Sequence, residues 1–430
     1  MHKLEDFGVT KHIGYLDNGV RVILFYKPNS PIATDVLYLT GSRYDPVGKE
    51  GLSHFLEHII FKKTKKFASQ TEAFKYLEEI GGIPNAFTWI EALGLDINIA
   101  LESDYPKLVT FIDEVINNTA FENEHVEKER EIILDEKRRY ESSPEMYLEF
   151  LSDELFFQNT DIAKSTIGSE ESLRSISWKD LREAFEKNLN PKDAVIIVSG
   201  DIKMDTLLSS FNKIFPKVSE KNPITKDIND LPITRDTGTL IKRFKDTPQV
   251  YLKYGFRTCS RFDDDTYVLS LIATALGEGA SSSLFTKLRQ ENGLVYGVSA
   301  DIVGTRDAGS WCISTATLKN NVQKLLDIVS DEFGRVYNGE LTKSEIELAK
   351  NKLIKSQIIK LQTTYQWVGA HALNVLYWGE DFPTVIDYLN IFEKINLEDI
   401  KRVGKKYFKP ETWYLAMCGD IDEKDVIVNY

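Results

Sequence analysis

The sequence predicts an α+β protein made of two homologous halves, each a largely antiparallel sheet packed with helices. Three observations support this: segments that recur at a nearly fixed spacing, the same mixed order of strand-like and helix-like stretches in both halves, and a proline-bearing stretch between them. The run 37–45 is echoed by 254–263, with Ser42 falling on Ser260 at an offset of 218. Alternating apolar residues at 93–101 lead into a helical stretch at 103–115, as 310–317 lead into 320–333. Each half closes on a shared ending, Val198-Ser199-Gly200-Asp201-Ile202 and Met417-Cys418-Gly419-Asp420-Ile421, with Asp201 and Asp420 offset by 219. A charged helical segment precedes each ending, at 178–189 and at 397–408. Pro216, Pro223 and Pro232 stand among polar residues, so 1–215 and 240–430 are expected as domains and 216–239 as a linker.

Taken in order, the first half opens on a strand expected at 15–25. The stretch 48–53 is turn-like, and Ser53 is expected to cap a helix beginning at His54. That helix carries His54-Phe55-Leu56-Glu57-His58. Residues four apart share a helix face with Cβ atoms about 5–6 Å apart, so both imidazoles can reach one cation, with Glu57 close by. A catalytic zinc takes three protein ligands and keeps a position open, and a nearby carboxylate can deprotonate water there. The motif inverts the His-Glu-x-x-His signature of zinc proteases. Leu52, Phe55, Leu56, Ile59 and Ile60 surround the histidines, and imidazoles within an apolar stripe need polar partners.

A further helix is expected at 123–141, charged outside an Ile132, Ile133, Leu134 patch. Glu129 and Glu136 lie seven apart on it, on one face but about 10.5 Å apart along the axis, so only one can touch the same ion. The repeat supplies a control. At the 218 offset, His54, Glu57 and His58 correspond to Ile272, Ala275 and Leu276; near 220, Glu129 and Glu136 correspond to Ala349 and Ser356. The second half keeps a helix without the polar residues, so the fold does not require them, and their presence in the first half points to metal binding.

Bulk properties narrow the function. The chain has 430 residues, with 42% hydrophobic residues for its cores. A net charge of −13 argues against nucleic acid and anionic membranes as partners. No apolar stretch approaches the ~18 residues of a membrane span, and residues 1–7 lack the pattern of a secretory signal. Cys259, Cys312 and Cys418 are odd in number and widely spaced, which predicts neither a disulfide framework nor a metal knuckle and fits a reducing cytoplasm.

With these residues, the chain resembles the M16 metallopeptidases, the inverzincin family of mitochondrial processing peptidases, insulin-degrading enzymes and pitrilysin. The match rests on His54-x-x-Glu57-His58 and on Glu129-x6-Glu136, with 77 residues between His58 and Glu136. It extends to Gly81-Gly82-Ile83-Pro84-Asn85-Ala86-Phe87-Thr88, to the glycine- and serine-rich turn 277–283, and to Arg289 and Tyr296 seven apart. It covers essentially the whole chain; Lys63 departs from the glycine usual there, which bears on the local loop. The resemblance implies the LuxS/MPP-like fold and one Zn2+ per chain on His54, His58 and Glu136. It further implies Glu57 as general base and Glu129 as a supporting second carboxylate. Asn85, Ala86 and Phe87 would lie on an edge strand that pairs with extended substrate, and Arg289 and Tyr296 would contact substrate and stabilise its tetrahedral intermediate.

The expectation is a zinc endopeptidase of the M16B type, acting inside a clamshell chamber on peptides or unfolded chains, basic ones if the chamber wall is acidic. Two-domain members pair, so a homodimer is expected, with no nucleic acid or membrane partner. The alternative is a non-catalytic scaffold, because relatives of this fold serve as core proteins of a respiratory complex; such subunits typically lose the ligands that this chain retains.

Overall fold

The computed structural model describes residues 2–190, 194–215 and 237–430. It contains two compact units, each with one sheet.

The first unit holds β1 (Thr10–Tyr15), β2 (Arg21–Tyr26), β3 (Ile32–Tyr38), β4 (Ile83–Thr88), β5 (Leu93–Ile99) and β6 (Ala194–Gly200), in the order β1-β2-β6-β3-β5-β4. All neighbours pair antiparallel except β2 and β6. β3 and β6 are buried at every residue, as central strands covered on both faces should be. The strand expected at 15–25 is divided by a hairpin turn: Tyr15 ends β1 and residues 21–25 lie in β2, while between them Leu16 N bonds to Val20 O across Asp17-Asn18-Gly19, and Gly19 adopts φ +85°. That tripeptide is itself a turn signal.

The second unit holds β7 (Gly238–Arg243), β8 (Gln249–Thr258), β9 (Val295–Gly304), β10 (Gly309–Leu318) and β11 (Trp413–Gly419), in the order β7-β11-β8-β10-β9. Its parallel pair, β7 and β11, is the counterpart of β2 and β6: Tyr26 pairs with Gly200, and Arg243 with Gly419. Both sheets thus combine antiparallel neighbours with one parallel contact among the described residues, and the α+β architecture of two homologous halves is what the chain has.

The units do not follow the sequential division. Helix Pro144–Phe156 belongs to the second unit, where it packs on β7, β8 and β11, and helix Thr364–Trp378 belongs to the first, on β2, β3 and β6. The two helices start 220 residues apart, so they are equivalent in the repeat and exchanged between the halves. Each carries an apolar stripe, Leu148, Leu151, Leu155 and Phe156 in one and Trp367, Val368, Ala372 and Val375 in the other. Burying such stripes is a main source of helix stability in proteins. Boundaries at 215 and 240 do not express this exchange. Of the expected linker 216–239, residues 216–236 lie outside the described residues, while Gly238 and Thr239 already belong to β7.

Candidate metal centre

The histidine pair sits on helix Leu52–Ile59, whose apolar residues Leu52, Phe55, Leu56 and Ile59 are buried. Ser53 does not cap it. The cap is Gly51 at φ +91°, and Asp45 from the preceding loop accepts from Gly51 N at 2.9 Å, Ser53 N at 3.0 Å and Ser53 Oγ at 2.6 Å. The Asp45 carboxylate thus satisfies free N–H groups of the first turn, a capping role played from outside the helix. Gly51 is required twice over, because its backbone is left-handed and a Cβ would come within 2.5 Å of Ile167 O.

His54 and His58 share the other face. Their Nε2 atoms lie 3.3 Å apart, and Glu136 Oε2 lies 3.9 Å from His54 Nε2 and 3.6 Å from His58 Nε2. Glu136 comes from helix Asn123–Ser142, which buries Val126, Ile133 and Leu134 but leaves Ile132 44% exposed, so the expected apolar patch is narrower than three residues. Three ligands at about 2.0–2.2 Å from a tetrahedral zinc stand about 3.3–3.6 Å from one another. The observed separations match that set with little adjustment, and His54, His58 and Glu136 are the one group of this kind among the described residues.

The donor chemistry also fits a cation. Burial, reinforced by His58, pushes the His54 pKa down to about 3, so its imidazole is neutral and offers a lone pair. The two Nε2 atoms face each other at 3.3 Å, and His54 Nδ1 is buried without a hydrogen-bond partner. Glu129 and Glu136 divide as their spacing requires. Glu129 points away from the cluster: its Oε1 lies 3.0 Å from His58 Nδ1 and its Oε2 lies 2.7 Å from Lys62 Nζ. A proton on Nδ1 donated to Glu129 leaves Nε2 free to ligate, the arrangement that orients metal-binding histidines. Glu129 is 3% exposed, and burial alone would raise its pKa; hydrogen bonds from His58 and Lys62, with the Lys62 charge, hold it below the usual carboxylate range.

Glu57 is half-buried beside the pair. Burial raises its pKa, opposed by a hydrogen bond from Thr88 and by His58. Thr88 ends β4, which packs against this helix; its Oγ1 also lies 3.4 Å from Ser53 O, an alternative acceptor for the one hydroxyl proton. Among the described residues β4 pairs with β5 alone and so lies at the edge of its sheet, where Asn85, Ala86 and Phe87 were expected. Lys63 needs no glycine-like backbone, and its Nζ lies 2.5 Å from Glu122 Oε1.

Arg289 and Tyr296 lie in the second unit, on a π-helical stretch (Phe285–Glu291) and on β9. The Arg289 guanidinium sits 4.7 Å from the centre of the Tyr296 ring, which is 84% exposed. Tyr296 also lines a cavity of about 550 Å³ with Glu145, Glu149, Gln249 and Tyr251. On the helix expected to mirror the metal helix, Asp265–Gly277, Ile272 and Leu276 are fully buried, and Ala349 is buried on Lys343–Lys360. Sequence reasoning missed Asp45, Lys62 and Thr88. Lys62 had one faint signal, its place four residues past His58 in the series 54, 58, 62.

Comparison with known proteins adds to this geometry. Residues 21–170 match the family described as insulinase (peptidase family M16), and 175–353 match the peptidase M16 inactive domain. The chain is 28% identical over 401 residues to the uncharacterized zinc protease YmxG of Bacillus subtilis, covering 93% of this chain and 96% of that one. In structure it is similar to a protease from Helicobacter pylori, with a TM-score of 0.87 at 23% identity over 96% of this chain and 99% of that one. It is also similar to a chain in complex III2 from Candida albicans, with a TM-score of 0.81 at 17% identity over 97% of each chain.

Proposed function

The chain belongs to peptidase family M16, and from that premise we propose that it is a zinc-dependent endopeptidase. The observation that carries the reading is the convergence of His54 Nε2, His58 Nε2 and Glu136 Oε2 with Glu57 alongside. His54, His58 and Glu136 would hold a zinc ion, which when bound would supply Lewis-acid polarisation of a peptide carbonyl and a lowered pKa for water. Glu57 takes the proton from the attacking water and delivers it to the departing amine nitrogen. Burial raises its pKa, which favours its holding the proton between the two steps. Thr88, at the end of the edge strand, keeps the Glu57 carboxylate next to any peptide lying along β4.

An extended substrate would pair with the free edge of β4 at Asn85, Ala86 and Phe87 through main-chain hydrogen bonds, which suits unfolded chains of varied sequence. Arg289 and Tyr296 would meet the far side of that substrate and the negative charge on its intermediate. Glu145 in the Tyr296 cavity supports a preference for basic peptides, while Glu149 beside it is already paired with Lys253 Nζ at 2.6 Å. The protein would act as a homodimer in the cytoplasm, the zinc half of one subunit facing Arg289 and Tyr296 of the other. The three thiols are free, as a reducing compartment would keep them, and no helix among the described residues is long and apolar enough to cross a membrane.

The scaffold reading draws on likeness to the complex III2 chain, which at 17% identity is a likeness of fold. The retained ligand set favours the enzyme. The test is cleavage of an unfolded polypeptide by the purified chain: activity lost to a chelator and restored by one equivalent of zinc supports the peptidase. A fully zinc-loaded chain that cleaves nothing supports the scaffold.

A further inference from the structure

We propose that Lys62 is a positioning residue for the metal centre: its ammonium fixes the Glu129 carboxylate, and through it the ring orientation and tautomer of His58. The inference rests on the metal-centre reading above. Lys62 follows the metal helix on the loop that leads to helix Gln70–Glu78. Its Nζ lies 2.7 Å from Glu129 Oε2 and 2.8 Å from Gln70 Oε1. The remaining Glu129 oxygen, Oε1, meets His58 Nδ1 at 3.0 Å.

Each oxygen of Glu129 therefore has a different partner, and the carboxylate cannot rotate without losing one. Its side chain is 4% exposed, so water cannot replace a lost partner, and a buried charge with half its hydrogen bonds is costly. With the Lys62 contact in place, the lowest-cost arrangement keeps the proton on His58 Nδ1, donated to Glu129, and turns Nε2 toward His54 and Glu136. Without it, nothing holds Oε2, and the carboxylate can swing off Nδ1 and release the ring. Gln70 makes the device stiffer by directing the flexible lysine stem from a second element.

The repeat gives independent support. At the 218 offset Lys62 corresponds to Ala280, just as His58 corresponds to Leu276 and Glu129, near 220, to Ala349. The half without metal ligands has lost the lysine together with the two groups it acts through. Lys63, one residue on, reaches only the half-exposed Glu122 and has no path to the histidines.

The experiment measures zinc affinity by chelator competition for wild type, Lys62→Met, Lys62→Arg, Glu129→Gln and the double variant Lys62→Met/Glu129→Gln. Cobalt-loaded samples report the ligand field through their visible absorption, and apo unfolding temperature controls for folding. Lys62→Met should bind zinc about 10–100-fold more weakly than wild type, as loss of an orienting partner does. Lys62→Arg should recover most of that affinity. The double variant should bind no worse than Glu129→Gln, because both substitutions break one relay. The cobalt bands of Lys62→Met should shift even at saturating cobalt, a readout that general loss of stability would not move. Wild-type affinity and an unshifted cobalt spectrum in Lys62→Met would overturn the proposal, as would losses that simply add in the double variant. Zinc bound by wild type without any peptide cleavage would count against the peptidase and leave the positioning role standing; a wild-type chain that takes up no zinc would overturn both.

Discussion

Glu129 and Glu136 show how much one residue's surroundings decide. Both are glutamates on the same face of the same helix, one turned toward His58 Nδ1 and Lys62, the other toward the two Nε2 atoms. Substitution should separate these roles. Glu136→Gln would remove a proposed ligand and should weaken zinc binding by at least about 100-fold, beyond the ~10–100-fold expected for a group that only orients one. Competition titrations of Glu136→Gln beside Glu129→Gln check the order; equal losses would mean that both carboxylates ligate or that neither does. The two His-to-Glu136 distances were out of reach of the sequence, which could say only that one glutamate of the pair is a ligand. The resemblance chose Glu136, and of the two glutamates it is Glu136 whose Oε2 lies near both Nε2 atoms. Lys62 was out of reach for another reason: its partner lies 67 residues away, and nothing local marks an ion pair formed across two elements.

Among elements, the helix of the histidine pair, Leu52–Ile59, depends on its surroundings. It has only eight residues, too few to be stable alone, and its start is set by Asp45 and by the left-handed Gly51. Gly51→Ala should destabilise the protein by more than the ~1 kcal/mol usual at a left-handed position, because the added methyl also meets Ile167 O; chemical denaturation measures it. The sequence placed this helix to within two residues, yet it assigned the cap to Ser53, the local candidate. Tertiary structure supplied a better acceptor from eight residues upstream. β4 was legible as an edge strand because its motif carried the information. The β1–β2 hairpin was missed although Asp17-Asn18-Gly19 announced it.

β3 and β5 carry a second consequence. Asp35 and Asp96 are directly paired across these strands and both are buried. Burial, then the Asp96 charge, raises the Asp35 pKa well above the ordinary value, and burial raises that of Asp96. The folded chain therefore holds protons that the unfolded chain has released above about pH 4. This contribution to stability is complete below the unfolded pKa and is lost as pH rises through the folded one. Denaturation midpoints of Asp35→Asn should fall less steeply with rising pH than those of wild type. Parallel profiles would mean that the pair is not protonated in the folded state.

At the scale of the whole molecule, the repeat was legible because offsets of 218 and 219 persist along the chain. The helix exchange was not, because nothing in a linear pattern tells which copy of a sheet an apolar stripe covers. It has a direct outcome. Residues 1–215 alone lack Thr364–Trp378 and would expose β2, β3 and β6, so they should aggregate or remain partly unfolded. Co-expression with 237–430 should give a soluble complex. A soluble, cooperatively folding 1–215 fragment would show that the exchanged helix is dispensable. The proposed trans arrangement has its own test. Glu57→Gln chains mixed with Arg289→Ala chains should regain part of the lost activity once subunits exchange, whereas no recovery after proven exchange would place both residues in one subunit's site.

The central claim is tested most directly with a quenched fluorescent basic peptide, wild-type chain and Glu57→Gln, each with its bound zinc measured in the same sample. One zinc per chain is expected in both proteins, with cleavage slowed by about 10²–10⁴-fold in Glu57→Gln. Equal cleavage by the two zinc-loaded proteins would contradict the claim.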